Sequence, residues 1–188
     1  MEDKKQVNAE SEVSRHSSKT TVKAVDDVTI RFAGDSGDGM QLTGAQFSET
    51  VAATGMDVGT LPDYPAEIRA PAGTLYGVSG FQIHFSSHEV YTAGDKVDVL
   101  VAMNPAALKV NLKDLKKNGI IIANSDSFDR KNLDLAEYIN NPLEDDSLEG
   151  YLVYDIPITK QTLETLKDMN LSMKAAIKCK NFFALGVV

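Results

Sequence analysis

Residues 28–40 read VTIRFAGDSGDGM, an apolar strand pattern that runs into a glycine-rich turn and then into a helical pattern. The run from Val28 to Ala33 predicts a first strand. The helix after the turn has the apolar or small positions Met40, Gly44, Phe47 and Val51 at helical spacing. Gly55 is suited to end that helix at its C′ position. A strand, a tight turn and a helix in this order open an α/β fold.

Strand and helix patterns alternate along the rest of the chain. Further strands are predicted in the segments DVGTL, GVSGFQIHFSS, VDVLVAM, GIIIAN and YLVYDI. The last three are expected to be buried, whereas the alternation around Phe81 predicts a half-exposed strand at a sheet edge, where an antiparallel orientation would make the sheet mixed. The fold class is therefore a three-layer α/β/α sandwich with a mostly parallel sheet that is mixed at the edge.

Helix boundaries follow from capping residues. Asn104 and Pro105 are suited to the N-cap and the first position of a helix. That helix is expected to bury Leu108, Leu112 and Leu115 and to end at Gly119. Later helices are predicted from about Thr159 to Met169 and across KAAIKCKNFFALGVV.

Composition limits the possible functions. A chain of 188 residues fits one domain, and its net charge of −8 argues against a nucleic-acid surface. Its apolar runs are shorter than the roughly 20 residues of a membrane span, so no membrane partner is expected. Residues 1–26 lack apolar periodicity and predict a disordered tail, followed by an α/β domain over residues 27–188. No signal-peptide pattern is present, which predicts a cytoplasmic protein.

Cysteine and histidine are too few for a confident metal site, so no metal ligands are predicted. Cys179 is the single cysteine, and a packed helical thiol is favoured over a reactive one despite its lysine neighbours. His84 and His88 are four residues apart, but they fall in a strand pattern and are interpreted as unrelated surface residues.

The glycine turn is acidic where a phosphate-binding loop would be neutral or basic. Its spacing, G-x-x-G-x-G, matches neither the dinucleotide fingerprint nor the phosphate loop. Asp35, Ser36 or Asp38 is expected to cap the following helix, and a carboxylate there would repel a phosphate. Two interpretations stay open: a structural turn, or a contact with a ligand or partner. The candidate cofactor-binding or interface residues of the turn are Gly34, Ser36, Gly37, Asp38 and Gly39.

A second candidate is the segment from Pro62 to Gly73, called the proline loop below. Its three prolines stiffen a stretch that also holds Glu67 and Arg69, which complete the candidate site residues. Recognition of another protein domain is one interpretation. The other is a plain lid with an Asp63–Arg69 or Glu67–Arg69 ion pair. No residue of either segment is predicted to be catalytic.

Taken together, GDSGDGMQLTG, DYPAEIRAPAGTLYGVSGFQIHF, VDVLVAMN and KCKNFFALG resemble the gamma domain of the 2-oxoacid:ferredoxin oxidoreductases. The resemblance covers roughly residues 27–188 and is most specific in PAEIRAPAGTLYGVSGFQ. Within that family, the sequence most resembles the gamma domain that is fused at the N-terminus of the alpha subunit of the 2-oxoglutarate enzyme. It implies a fold like domain III of pyruvate:ferredoxin oxidoreductase.

This resemblance implies one part of an enzyme that converts a 2-oxoacid and coenzyme A to an acyl-CoA and passes electrons to ferredoxin. The complex is implied to use thiamine diphosphate, Mg, iron–sulfur clusters and coenzyme A, with none of them held by this chain alone. The triplet at residues 37–39 lacks the asparagine of the thiamine motif, since no Asn occurs between Ala9 and Met103. The implied partners are a downstream alpha domain, a beta subunit and, through the complex, ferredoxin. The isolated chain is expected to be inactive.

Several alternatives stay open from the sequence. The substrate could be pyruvate, since no residue here identifies the second carboxylate of 2-oxoglutarate. The domain could also be an autonomous phosphate- or nucleotide-binding module, or an assembly scaffold. Because an apolar helical pattern reaches Val187 and Val188, the sequence is expected to be cut from a longer polypeptide.

Overall fold

The computed structural model describes residues 25–67 and 69–188. All but the last two residues of the predicted tail, 1–26, lie outside the described residues. The strands are β1 Asp27–Asp35, β2 Asp57–Asp63, β3 Val78–Ser86, β4 Val97–Ala102, β5 Leu115–Asn124 and β6 Leu152–Ile156. The helices are α1 Met40–Ala53, α2 Pro105–Asn111, α3 Arg130–Leu135, α4 Ile158–Leu166, α5 Met173–Ile177 and α6 Lys180–Val187.

The six strands form one sheet in the order β2-β3-β1-β4-β5-β6. β1, β4, β5 and β6 pair in parallel, whereas β3 is antiparallel to both of its neighbours. One face packs against α1, α4 and α6 through Met40, Ile158 and Ala184. The other packs against α2 and α3 through Leu108 and Leu133. The predicted three-layer sandwich with a mixed, mostly parallel sheet is confirmed.

β3 is antiparallel as predicted, but its predicted position at the edge is wrong. It lies between β2 and β1, and β2 is the edge strand. The polar residue that suggested exposure, Gln82, is buried because its amide donates to Ala93 O and accepts from Arg31. Apolar and polar residues alternate along β3 because the polar side chains face a side of the sheet that is covered and hydrogen-bonded. That side is not exposed to solvent.

Two further expectations are wrong in their boundaries or burial. α2 ends at Asn111, a short 3₁₀ turn covers Leu112–Asp114, and Gly119 lies inside β5. The helical spacing of leucines continued past the true end because Leu115 is buried as the first residue of β5. β6 was expected to be buried, yet it is the other edge of the sheet and leaves Leu152 half exposed.

The structure confirms the helix ends that the capping residues predicted. Asn104 Oδ1 accepts a hydrogen bond of 2.8 Å from Ala107 N, with Pro105 as the first residue of α2. Gly55 follows the end of α1 with a left-handed φ of 86°. The C-terminal helical pattern is confirmed but divides into α5 and α6 near Cys179.

The contact between α1 and the sheet depends on the absence of a side chain at Gly44. A Cβ added there would lie 2.1 Å from Phe81 Cδ1. The helix backbone therefore packs directly against the Phe81 side chain of β3. Among residues 25–67 and 69–188, no helix has the length and apolarity needed to cross a bilayer.

Candidate functional site

The glycine turn connects the carboxyl end of β1 to α1. Asp38 N donates to Asp35 O at 2.9 Å, and Gly39 follows in the left-handed region with φ of 77°. A Cβ on Gly39 would lie 2.6 Å from Asn181 Nδ2 in α6, and one on Gly34 would lie 2.9 Å from Asp38 Oδ2. Gly34 and Gly39 are therefore structural requirements of the turn, whereas a Cβ on Gly37 would meet no atom within 4 Å.

The aspartates do not cap α1, so that expectation is wrong. The N-cap is Gly39, and no side chain accepts from the first turn of the helix. Asp38 instead turns inward: its Oδ2 accepts from Asp35 N at 3.1 Å, and its Oδ1 pairs with Lys180 Nζ at 2.8 Å. The Asp38 and Lys180 side chains are only 13% and 17% exposed. The charge that makes the turn look unsuitable for an anion is thus neutralised by a lysine from the other end of the domain.

Asp35 connects the turn to the proline loop. Its Oδ1 accepts from Gly73 N at 2.9 Å, so the two predicted segments lie side by side. Burial raises the pKa of Asp35 above its ordinary value, and the neighbouring Asp38 raises it further, while the Gly73 amide and Lys180 oppose the shift. The carboxylate is a strong acceptor held in a partly desolvated position.

The base of the proline loop is hydrogen-bonded to both neighbouring elements. Gln41 Nε2, at the start of α1, donates to Asp63 O at 3.0 Å and to Gly80 O at 2.8 Å. Glu67 N donates to Tyr76 O at 3.3 Å and draws the outgoing and returning halves of the loop together. The described residues of the loop are therefore hydrogen-bonded to α1, and through Gly73 to the glycine turn.

The charged residues of the loop face solvent. Arg69 and Glu67 are exposed, and Arg69 has a left-handed φ of 71°. Neither the Asp63–Arg69 nor the Glu67–Arg69 ion pair occurs in the described part of the chain. The alternative of a loop closed by its own ion pair therefore lacks its expected contact.

A cleft of about 200 Å³ opens between the turn, the loop and the ends of β4 and β5. Its lining includes Asp35, Asp38, Asn104, Lys131 and Lys180. β1 and β4 are adjacent parallel strands whose following helices lie on opposite faces of the sheet, the arrangement at which open α/β sheets bind ligands and partners. The sequence offered no means of placing Lys180 or Lys131 here, because they approach from α6 and α3.

The predicted residues fall into two groups. Gly34, Asp38 and Gly39 shape the turn, whereas Ser36, Gly37, Glu67 and Arg69 are exposed or point outward from it. In the described ranges, no three His, Cys, Asp or Glu residues are close enough to hold a metal ion. Cys179 is half-buried and its thiol donates to Ala175 O at 3.5 Å.

The fold and this site define an α/β domain whose carboxyl-end turn and loop are ordered by each other. The chain belongs to the pyruvate ferredoxin/flavodoxin oxidoreductase family, whose model matches residues 29–188. This confirms the resemblance drawn from the sequence motifs. It is also 52% identical over 164 residues to the 2-oxoglutarate oxidoreductase subunit KorA of Mycobacterium tuberculosis, a match covering 87% of this chain and 25% of that protein.

Two solved structures have the same fold. A 2-oxoglutarate:ferredoxin oxidoreductase from Magnetococcus marinus, solved with 2-oxoglutarate, coenzyme A and succinyl-CoA bound, matches with a TM-score of 0.64 and 28% identity. That match covers 87% of this chain and 24% of the other. A keto/oxoacid ferredoxin oxidoreductase gamma subunit from Geobacter sulfurreducens matches with a TM-score of 0.59 and 20% identity, over 86% of this chain and 74% of the subunit. The chain therefore spans about a quarter of the length of the M. tuberculosis and M. marinus proteins.

Proposed function

We propose that this chain is the gamma-type domain of a 2-oxoglutarate:ferredoxin oxidoreductase, which oxidatively decarboxylates 2-oxoglutarate to succinyl-CoA. The observation that carries the proposal is the 52% identity to KorA over most of the chain. The M. marinus relative, named for the same reaction, supports the choice of 2-oxoglutarate over pyruvate.

Within that enzyme the chain contributes contacts rather than the redox chemistry. A four-cysteine iron–sulfur site does not fit a chain with one cysteine. The triplet at residues 37–39 follows the first strand directly and lacks the asparagine of a thiamine diphosphate motif. Thiamine diphosphate, Mg and the clusters would then be held by a downstream alpha domain and a beta subunit, and ferredoxin would receive the electrons.

The carboxyl-end site suits a docking function. Its turn is closed by the Asp38–Lys180 pair and tied to the proline loop through Asp35 and Gly73, so the surface is formed before a partner arrives. Coenzyme A would meet this region at one edge: Lys131 lines the cleft, the start of α1 has no side-chain cap, and Arg69 is an exposed cation of the proline loop.

An autonomous nucleotide-binding module is the weaker alternative. Pockets for small ligands usually measure about 300–1,000 Å³, and the cleft at the switch point measures about 200 Å³. A nucleotide bound at this switch point would therefore need surfaces beyond those that line the cleft.

The test is substitution of Arg69 in the full oxidoreductase that contains this chain. Arg69→Ala is expected to weaken coenzyme A or subunit affinity about tenfold, because arginine is enriched among the minority of interface residues whose truncation costs more than about 1 kcal/mol. Arg130→Ala is the matched control, since Arg130 is exposed but paired with Asp134 within α3. Equal kinetics and assembly in the two variants would reject a role for Arg69, and wild-type enzyme inactive on 2-oxoglutarate would reject the proposed reaction.

A further inference from the structure

The connection between β3 and β4, residues 87–96, contains no helix or strand and lies across one face of the sheet. We call it the strap. Its main chain contacts β2 closely, because a Cβ on Gly59 would be 2.9 Å from Thr92 O. Gly59 pairs with His84 of β3, and Gln82 lies two residues from His84, so all three residues face the same side of the sheet. The strap is therefore packed on that side of β2 and β3.

His84 holds the strap through a ring whose two nitrogens both face hydrogen-bond acceptors. Nδ1 lies 2.7 Å from Thr92 O of the strap, and Nε2 lies 2.8 Å from Asp27 Oδ2 at the start of β1. A carbonyl oxygen and a carboxylate can only accept. Both bonds therefore exist together only when each nitrogen carries a proton, which is the imidazolium form.

Charged groups lie around His84 and the strap on the neighbouring strands and on the strap itself: Asp27 of β1, Asp57 of β2, Asp98 of β4, Lys116 of β5 and Glu89. The pKa of His84 is raised from 6.5, first by the bond to Thr92 O and then by the bond and charge of Asp27, while partial burial and Lys116 oppose the shift. Lys116 Nζ is itself paired with Asp98 at 2.8 Å. The charged environment thus agrees with the form that the geometry requires.

We propose that the strap is a pH-sensitive element of the fold: the imidazolium of His84 holds Thr92 O, and loss of the Nδ1 proton to water releases it. The remaining proton stays on Nε2, because the carboxylate of Asp27 is a stronger acceptor than a carbonyl. Nδ1 then presents a lone pair to Thr92 O, and the contact becomes repulsive. The strap is held below pH 6.5 and is released as the pH rises through the folded-state pKa of His84.

The release is confined to one part of the strap. Gln82 Nε2 donates to Ala93 O at 2.6 Å, and this bond does not depend on pH because an amide does not titrate. The part that loosens is the stretch before Ala93, where Val90 N donates to Asp57 Oδ2 at 2.7 Å. The amide of Val90 therefore reports the change.

Amide hydrogen exchange of the full oxidoreductase that contains this chain, measured from pH 5.5 to 9, tests the proposal. The exchange rate of Val90 is divided by that of an unstructured peptide at the same pH, which gives its protection. Protection is expected to fall about fivefold over this range, the change that corresponds to the loss of one hydrogen bond. His84→Gln should remove the pH dependence. His88→Gln should leave it unchanged, because the His88 ring lies beside Ser87.

Two further variants make the test specific. In Asp27→Asn, the amide can donate to Nε2, so a neutral ring keeps its Nδ1 proton on Thr92 O and protection should stay constant with pH. Gly59→Ala is the positive control, because its Cβ displaces Thr92 O and should lower the protection of Val90 at every pH.

Constant protection in the wild type would overturn the proposal, as would a fall in protection that persists in His84→Gln or in Asp27→Asn. These outcomes are independent of the proposed function, because exchange is measured without substrate and the strap lies at the amino end of β1, away from the glycine turn.

Discussion

Two polar clusters lie along β1, and they differ in how completely the chain satisfies them. The first surrounds Arg31 in the middle of the strand, where its side chain is 12% exposed. Arg31 Nε donates to Gln82 Oε1 at 2.9 Å, and Nη1 donates to Asn111 Oδ1 at 2.9 Å and to Asp114 at 3.0 Å. This cluster is closed on itself and joins β1 to β3 and to the end of α2.

The second cluster is at the carboxyl end of the same strand and is only partly closed. Asp38 and Lys180 neutralise each other, and Asp35 holds the proline loop. Beyond these anchors, Arg69, Tyr64 and Tyr76 are exposed to solvent. The difference teaches that a buried charge alone does not mark a functional site. Buried polar groups that find all their partners within the chain stabilise the fold, whereas an ordered segment with unpaired recognition groups indicates a binding surface.

The largest expected effect is in the closed cluster. Arg31→Met should lower the free energy of unfolding by about 3 kcal/mol, because it leaves Gln82, Asn111 and Asp114 without their shared donor. Urea denaturation measures the change. The control Arg130→Met removes an exposed pair within α3 and should change stability by no more than about 0.5 kcal/mol. Equal stability of the two variants would show that the hydrogen bonds of the closed cluster do not stabilise the fold.

An intermediate effect is expected in the turn. Gly39→Ala should destabilise by about 1–2 kcal/mol, since alanine is strained at φ of 77° and its Cβ would contact Asn181. Gly37→Ala should stay within about 0.5 kcal/mol, because its Cβ meets open space. Thermal or urea unfolding of both variants, and of Gly39→Ala in an Asn181→Ala background, separates backbone strain from the side-chain contact. Equal losses at 37 and 39 would contradict the assignment of Gly39 as structural and Gly37 as free.

The smallest effect concerns a third polar group, at the amino end of β1. His84 Nδ1 lies 2.7 Å from Thr92 O and Nε2 lies 2.8 Å from Asp27 Oδ2. The hydrogen bond to Thr92 O, followed by the bond and charge of Asp27, raises the pKa of His84 above 6.5. A raised histidine pKa contributes stability that is complete below pH 6.5 and is lost as the pH rises through the folded-state pKa.

Unfolding free energies measured from pH 5.5 to 9 test the histidine prediction. The difference between wild type and His84→Gln should be greatest near pH 6 and should shrink as the pH rises. His88→Gln is the control, because its exposed ring lies beside Ser87 rather than between two acceptors. A pH-independent difference for His84→Gln would show that the imidazolium is not the form held in the fold.

Much of the fold was predictable because its signals are local. The Asn104–Pro105 cap and the Gly55 terminus each depend on residues within one helical turn, and the structure contains both. The strand patterns that alternate with helices gave the sandwich class for the same reason. The order of the strands was harder to predict. The alternation of apolar and polar residues around Phe81 could not distinguish a strand face exposed to solvent from a polar face covered by another segment.

The candidate site was predicted in part. The turn and the proline loop were identified as separate candidates, and the structure brings them together through the hydrogen bond from Gly73 N to Asp35. The Asp38–Lys180 pair was missed, because a carboxylate beside a helix start resembles a cap unless a distant lysine is known to reach it.

By itself, the amino-acid sequence determined the succession of strands and helices, the glycine turn and the family motifs, since each is encoded in residues close together along the chain. Tertiary structure alone decided which charges are neutralised, which polar strand is covered and which tyrosines stay exposed. Those outcomes depend on contacts between segments far apart in sequence, such as α6 against the turn and the segment after β3 against Gln82. Their free energies arise only once the sheet has set the order of its strands.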